Sequence, residues 1–291
     1  MNTIEPVLLK ELNETDYESL IRFRIRKILM ICSNYDAFIL EEDGQIETQI
    51  YKEYIDLNLS NPPKFIWVQT AAEARELLNT VVGIDMVMCM YNVSDKDVFA
   101  LASEIEKERP SLPFVLLTHF SKEVYRRLAL QDTSAVDYMF SWHGNADLIV
   151  AIIKLFEDLQ NAEHDILGVG VQAILLVEDS VKYYSTYLPE LYKLILMQNS
   201  EFLTETLNQQ QRKIRKRSRP KLLLATNYDD ALAMYEKYKN NLLGVISDVG
   251  FTMHKDEGPD KEVLDAGFVI DEDSPEDIMD VFGDLTAEDD E

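Results

Sequence analysis

"AILLVEDS", residues 173–180, is the stretch on which the reading of this chain turns. Four apolar residues, Ile174 to Val177, run straight into Glu178 and Asp179. A short run that is continuously apolar, rather than alternating, is the pattern of a parallel strand covered on both faces. Two like charges side by side at a strand end repel. They are tolerated when solvated, or when a cation sits between them.

The stretch has a counterpart earlier in the chain. "KILMICSN" (27–34) matches "AILLVEDS", "KFIWVQTAAEA" (64–74) matches "KLLLATNYDDA" (221–231), and "IDMVMCMYN" (84–92) matches "LLGVISDVG" (242–250). In each copy the order is strand, helix, strand, helix, strand, which implies parallel βαβ units with right-handed crossovers. The first copy continues with "LPFVLLTHF" as a fourth strand, "SKEVYRRLALQ" as a helix and "AVDYMFSW" as a fifth strand. A last helix follows Asn145, with Leu148, Ile149, Ile152, Ile153, Phe156 and Leu159 on one face. The expected fold is α/β: two tandem flavodoxin-like, doubly wound parallel sheets, the second incomplete.

Composition narrows the function. The 291 residues carry a net charge of −25, which argues against a dedicated nucleic-acid binder because phosphate needs local positive potential. One basic block, "QRKIRKRSRP" (211–220), reads as the solvated end of a long helix stopped by Pro220. Cys32 and Cys89 are the two cysteines, both inside apolar runs, as in a reduced cytoplasmic protein. No stretch has the length and apolarity of a membrane span or a signal peptide. From His254 to Glu291 there are sixteen Asp or Glu residues, and the end reads as a solvated acidic tail.

The arrangement resembles the receiver domain of bacterial response regulators, over residues 27–160 and again from 172 onward. In that family an acidic pair follows the first strand, a phospho-accepting Asp ends the third, a Thr or Ser ends the fourth and a Lys ends the fifth. Three carboxylates supply hard oxygen ligands for Mg²⁺, and the metal and Lys neutralise the phosphoryl group during transfer. Carried onto the second copy, the resemblance implies Glu178 and Asp179 as the acidic pair, Asp248 as phospho-acceptor and the Gly250 carbonyl as a further Mg²⁺ ligand. In the first copy Cys32 and Ser33 replace the pair, Met90 replaces the acceptor, Ser141 stands where the Lys belongs, and only Thr118 matches. Residues 27–160 therefore read as a pseudo-receiver, because methionine accepts no phosphoryl group and Cys with Ser holds no Mg²⁺.

The second copy departs from the family as well. Only 43 residues follow Asp248. "AGFVIDEDSPEDIMDVF" (266–282) reads as a fifth strand and helix, with Asp271 near the Lys position and the intervening elements missing or shortened. The expected organisation is a helical lead-in (1–26), pseudo-receiver (27–160), linker (161–172), receiver-like domain (173–282) and acidic tail (283–291). The second copy has a long first helix, 180–217, with Tyr184, Tyr187, Leu188, Leu191, Leu194 and Ile195 on one stripe and a kink or restart at Pro189. The excess length points to a protein partner or a homo-oligomer through that helix.

"VEDSVKYYSTYLPELY" with the later "SDVG" also resembles the receiver-like head of bacterial proteins similar to phosphoenolpyruvate synthase. No Gly-rich phosphate loop accompanies it, so no catalytic activity is carried over and the chain is not expected to be an enzyme. The resulting expectation is a phosphorelay signalling module that takes its phosphoryl group from a histidine kinase or a small phosphodonor. The alternatives are a non-phosphorylated scaffold and the regulatory fragment of a phosphoenolpyruvate-synthase-like enzyme. His119, His143, His164 and His254 lack ligand spacing, and no Ser-His-Asp set is apparent.

Overall fold

The structure is a computed structural model that describes residues 20–32, 46–57, 59, 61–92, 95–118, 132–142, 144–201 and 218–248, with 198–201 as backbone only. Ser33, His119, His143, His254, Gly250, Asp271, the basic block up to Arg217 and the acidic tail lie outside the described residues.

Two parallel sheets form. The first contains β1 (Lys27–Ile31), β2 (Lys64–Val68), β3 (Met86–Met90), β4 (Phe114–Thr118) and β5 (Tyr138–Ser141) in the order β2-β1-β3-β4-β5. The second contains β6 (Ala173–Val177), β7 (Lys221–Ala225) and β8 (Leu242–Ser247) in the order β7-β6-β8. The first order is that of the flavodoxin-like doubly wound fold, and the second repeats its opening three strands. The described helices are α1 (Ile46–Asp56), α2 (Ala71–Thr80), α3 (Val98–Glu108), α4 (Ala146–Ala162), α5 (Val181–Glu201) and α6 (Tyr228–Tyr238).

Alternate residues of each strand divide the interior as the pleat requires. Leu29, Ile31, Val87, Cys89 and Leu116 pack with Ala74, Leu78, Leu101 and Ile105 of α2 and α3. Ile28, Met30, Met88, Leu117 and Phe140 face the opposite way, towards α1 and α4. In the second sheet Leu175, Val177 and Leu223 pack with Ala231 and Tyr238 of α6. Leu176, Leu222 and Leu224 join the same cluster as α4, together with Tyr184, Leu188 and Tyr192 of α5. The two sheets thus share one helical layer, and α4 lies inside it.

That position explains a feature the apolar face of α4 did not reveal. Val150, Ala151 and Leu155, off the predicted stripe, are as buried as Ile149 and Ile152 on it. A helix that is apolar all round is a helix without a solvent face. Four of its polar residues, Lys154, Glu157, Asp158 and Asn161, are buried too, as is Asp165 in the π-helical turn Glu163–Gly168 that continues it, whereas Gln160 is exposed.

Each of these buried groups has a partner. Asp158 accepts two hydrogen bonds from Arg219, both 2.8 Å, one from the Tyr192 hydroxyl at 2.9 Å and one from the Leu222 N–H at 3.1 Å. Lys221 Nζ lies 2.8 Å from Asp165 Oδ2 and 3.8 Å from Asp158 Oδ1. Burial pushes the Lys221 ammonium below its ordinary value, and the two carboxylates oppose that shift. Arg219, the penultimate residue of the basic block, is therefore a buried counter-ion rather than a solvated charge.

Residues 20–26, expected to be the end of a helical lead-in, form neither helix nor strand, and Ile21 takes a left-handed φ of 52°. The N–H groups of Ile21, Phe23 and Ile25 donate in turn to Asp165, Asn161 and Glu157. Every second N–H of the segment thus meets every fourth residue along α4 and its π turn, the two running in opposite directions. The stretch expected as a linker, 161–172, begins with the end of α4 and its π turn and runs directly into β6.

Helix α5 also covers the free edge of β5. The Ser141 N–H donates to Ser185 Oγ at 2.9 Å, and the Tyr184 hydroxyl donates to the Met139 carbonyl. An edge strand closed in this way offers no template for further pairing. The predicted stripe is split: Tyr184, Leu188 and Ile195 are buried, while Tyr187 and Leu194 remain 44% and 38% exposed. The helix runs through Pro189 without restarting.

Replacing Asp158 by Asn leaves Arg219 buried without its counter-charge, while Lys221 keeps Asp165. Loss of one partner from a buried ion pair costs about 3–5 kcal/mol, so Asp158→Asn is expected to lower the urea midpoint by a corresponding amount. Asp158→Leu combined with Arg219→Met and Tyr192→Phe, which leaves Lys221 on Asp165, is expected to recover part of the loss.

Candidate functional site

The carboxyl ends of parallel strands are where doubly wound folds assemble sites. In the second sheet Val177 stands opposite both Ala225 and Ser247. The Glu178 N–H continues the ladder to the Ala225 carbonyl at 3.0 Å, and the Asp248 N–H continues it to the Val177 carbonyl at 3.1 Å. Glu178 and Asp248 therefore face one another across adjacent strand ends, and Asp179 follows at the mouth of α5.

The two carboxylates differ in environment. Glu178 is only 4% exposed, and its Oε1 accepts the Ser180 N–H at 3.0 Å, just ahead of the first turn of α5. Asp248 is exposed. Burial raises the Glu178 carboxyl above its ordinary value, and the charges of Asp248 and Asp179 raise it further, while the Ser180 N–H acts in the opposite direction. The helix N-terminus is a favourable place for a negative charge, but the neighbours make this carboxylate reluctant to ionise.

As a donor set, three carboxylates suit a hard divalent cation such as Mg²⁺. Among the described residues, however, no group of three or more His, Cys, Asp or Glu side chains is gathered closely enough to hold a metal ion. Gly250, the remaining ligand implied by the sequence, lies outside the described residues.

The first sheet has the same register with different side chains. Ile31 pairs with Cys89, so Cys32 faces Met90 as Glu178 faces Asp248. Thr118 pairs with Ser141 one strand over. Cys32, Met90, Thr118 and Ser141 are all buried, and Cys32 and Met90 belong to the central apolar cluster. Burial, with Cys32 beside it, pushes the Cys89 thiol above its ordinary value, away from reactivity.

Sequence reasoning missed the polar stripe of α4 and its partners Arg219 and Lys221. The signal was present in the spacing: Lys154, Glu157, Asp158, Asn161 and Asp165 recur at helical intervals in an otherwise apolar helix.

No protein-family model matches the chain. No curated protein matches it either. Solved structures do. The signal receiver domain of an HD domain-containing protein from Pseudomonas fluorescens Pf-5 is 21% identical, with 49% of this chain and 90% of that one covered and a TM-score of 0.34. The signal receiver domain of a putative Luxo repressor protein from Vibrio parahaemolyticus is 14% identical, with 50% and 98% covered and a TM-score of 0.36. The BeF3-activated DrrB receiver domain is 17% identical, with 45% and 97% covered and a TM-score of 0.32. No helix among the described residues is long and apolar enough to cross a membrane.

The raised Glu178 carboxyl has a stability consequence of definite sign. A carboxyl that holds its proton more tightly when folded loses stability as pH rises from the ordinary glutamate range through its folded value. In metal-free buffer Glu178→Gln, which keeps an acceptor for Ser180, is expected to raise the thermal midpoint at neutral pH. The gain should vanish towards pH 4, where both side chains are neutral. Thermal melts across that range check the sign.

Proposed function

We propose that the chain is a receiver-like regulatory module of the phosphorelay class. In this reading the second unit binds Mg²⁺ through Glu178, Asp179 and Asp248, with Gly250 as a further ligand. Asp248 takes a phosphoryl group from a histidine kinase or a small phosphodonor. A carboxylate oxygen of Asp248 attacks phosphorus, the donor's bond to phosphorus breaks, and the metal offsets the charge on the transferring oxygens. The first unit, with Cys32 and Met90 at the corresponding strand ends, serves packing or interaction.

The observation that carries the reading is the meeting of Glu178 and Asp248 at adjacent strand ends, with the Glu178 carboxyl raised first by burial and then by the Asp248 and Asp179 charges. Like charges held at neighbouring strand ends have a physical use when a cation joins them, and Mg²⁺ would relieve the repulsion. Exposure favours Asp248 as acceptor, since the phosphodonor must reach it.

A second reading, a scaffold with no phosphoryl chemistry, is favoured by a different observation: the described carboxylates form no ready-made metal cage. In that case the exposed residues of α5, Tyr183, Tyr187, Leu194 and Met197, would be its contact surface, for a partner or a second copy.

Titration with Mg²⁺ followed by beryllofluoride, monitored by calorimetry, separates the two. The phosphorelay reading expects Mg²⁺-dependent binding, a phosphoryl adduct by mass spectrometry after acetyl phosphate, and loss of both in Asp248→Asn. Absence of binding and of adduct in the unaltered chain sinks it.

A further inference from the structure

β8 has the composition of a central strand and the position of an edge. Its residues, Leu242-Leu243-Gly244-Val245-Ile246-Ser247, carry no charge and no proline, the two common protections of a free edge. Its counterpart in the first sheet, β3, is buried at every residue because β4 lies beside it. In β8 no residue is fully buried, and Leu243 is 45% exposed. Among the described residues no strand lies on its outer side.

The open side can be assigned residue by residue. The Asp248 N–H points to β6, since it donates to Val177. With a period of two, the N–H and C=O groups of Gly244 and Ile246 point the same way and those of Val245 and Ser247 point outward, while Leu243 is the extra residue of a bulge. Among the described residues the sheet therefore ends at the outward backbone groups of Val245 and Ser247, flanked by apolar side chains.

We propose that this edge is the docking site for the chain's own segment Ala266–Ile270, added as a fourth, parallel strand. Beyond Asp248, "AGFVI" (266–270) is the longest uninterrupted apolar run, and it contains β-branched and aromatic residues. The 17 residues between, 249–265, exceed the dozen that a parallel crossover needs. Five residues match the length of β6 and β7. A second copy is disfavoured as the occupant, because each chain carries a net charge of −25 and the crossover makes the internal contact far more concentrated. The inference stands on the open edge alone and does not need phosphoryl chemistry at Asp248.

Amide hydrogen exchange on the full chain, followed by NMR at low protein concentration, tests it. Val245 and Ser247 are expected to exchange as slowly as Ile246. Because N–H groups alternate along a strand, one of Phe268→Pro and Val269→Pro removes a donor that faces β8. At least one of the two variants is expected to speed exchange at Val245 and Ser247 roughly tenfold or more while leaving Leu175 and Leu223 unchanged. Fast exchange at Val245 and Ser247 in the unaltered chain overturns the proposal. So does protection that persists in both variants, or protection that grows with protein concentration, which would assign the edge to a second copy.

Discussion

Every residue of α4 from Leu148 to Asp158 is buried, so the polar residues there cannot turn to water. Asp158 is the centre of the solution. It receives Arg219, Tyr192 and the Leu222 N–H, so that one carboxylate joins α4, α5 and the start of β7. Leaving any of these groups alone in the interior would cost far more than a surface ion pair contributes. Glu157, Asn161 and Asp165 continue the stripe and fix residues 21–25 by their alternate N–H groups. The architecture depends on this line of satisfied polar groups within an apolar layer.

The consequence for function is that the two sheets are not independent beads. Leu176, Leu222 and Leu224 from one sheet and Met30, Met88 and Phe140 from the other belong to a single cluster. Phe140 meets Tyr184 edge-on with centroids 5.4 Å apart, and Tyr138 donates to the Leu224 carbonyl. Helix α5 starts beside Glu178 and Asp179, and within its first turns Tyr184 and Ser185 hold the edge of β5. A change of charge at the acidic strand ends therefore acts within one or two helical turns of the junction between the sheets.

The strand framework was legible because continuous apolar runs are local information. KILMI, MVMCM, FVLLT, AILLV and KLLLA are strands by composition alone, and each forms where it was expected. The equivalent rungs Ile31–Cys89 and Val177–Ser247, which the strand ends carrying Cys32, Met90, Glu178 and Asp248 directly follow, were legible from aligning the two copies, because a shared register carries equivalent residues to equivalent rungs. Residues 20–26 were misread as the end of a helix, since their N–H partners lie more than a hundred residues away on α4 and its π turn. Arg219 was misread as a solvated charge for the same reason: a buried ion pair looks like any other arginine until its aspartate is found.

The chain alone determined the parallel α/β framework, the repeated strand pattern and the placing of acids on one set of strand ends and inert residues on the other. These are properties of short segments and of their spacing, and periodicity encodes them directly. Only the tertiary structure decided that both sheets close on the same helix, that its charged residues are satisfied internally, and that α5 covers the edge of β5. Those outcomes depend on which surfaces meet, and the meeting surfaces come from segments distant in the chain, brought together by the need to bury apolar area without stranding a polar group.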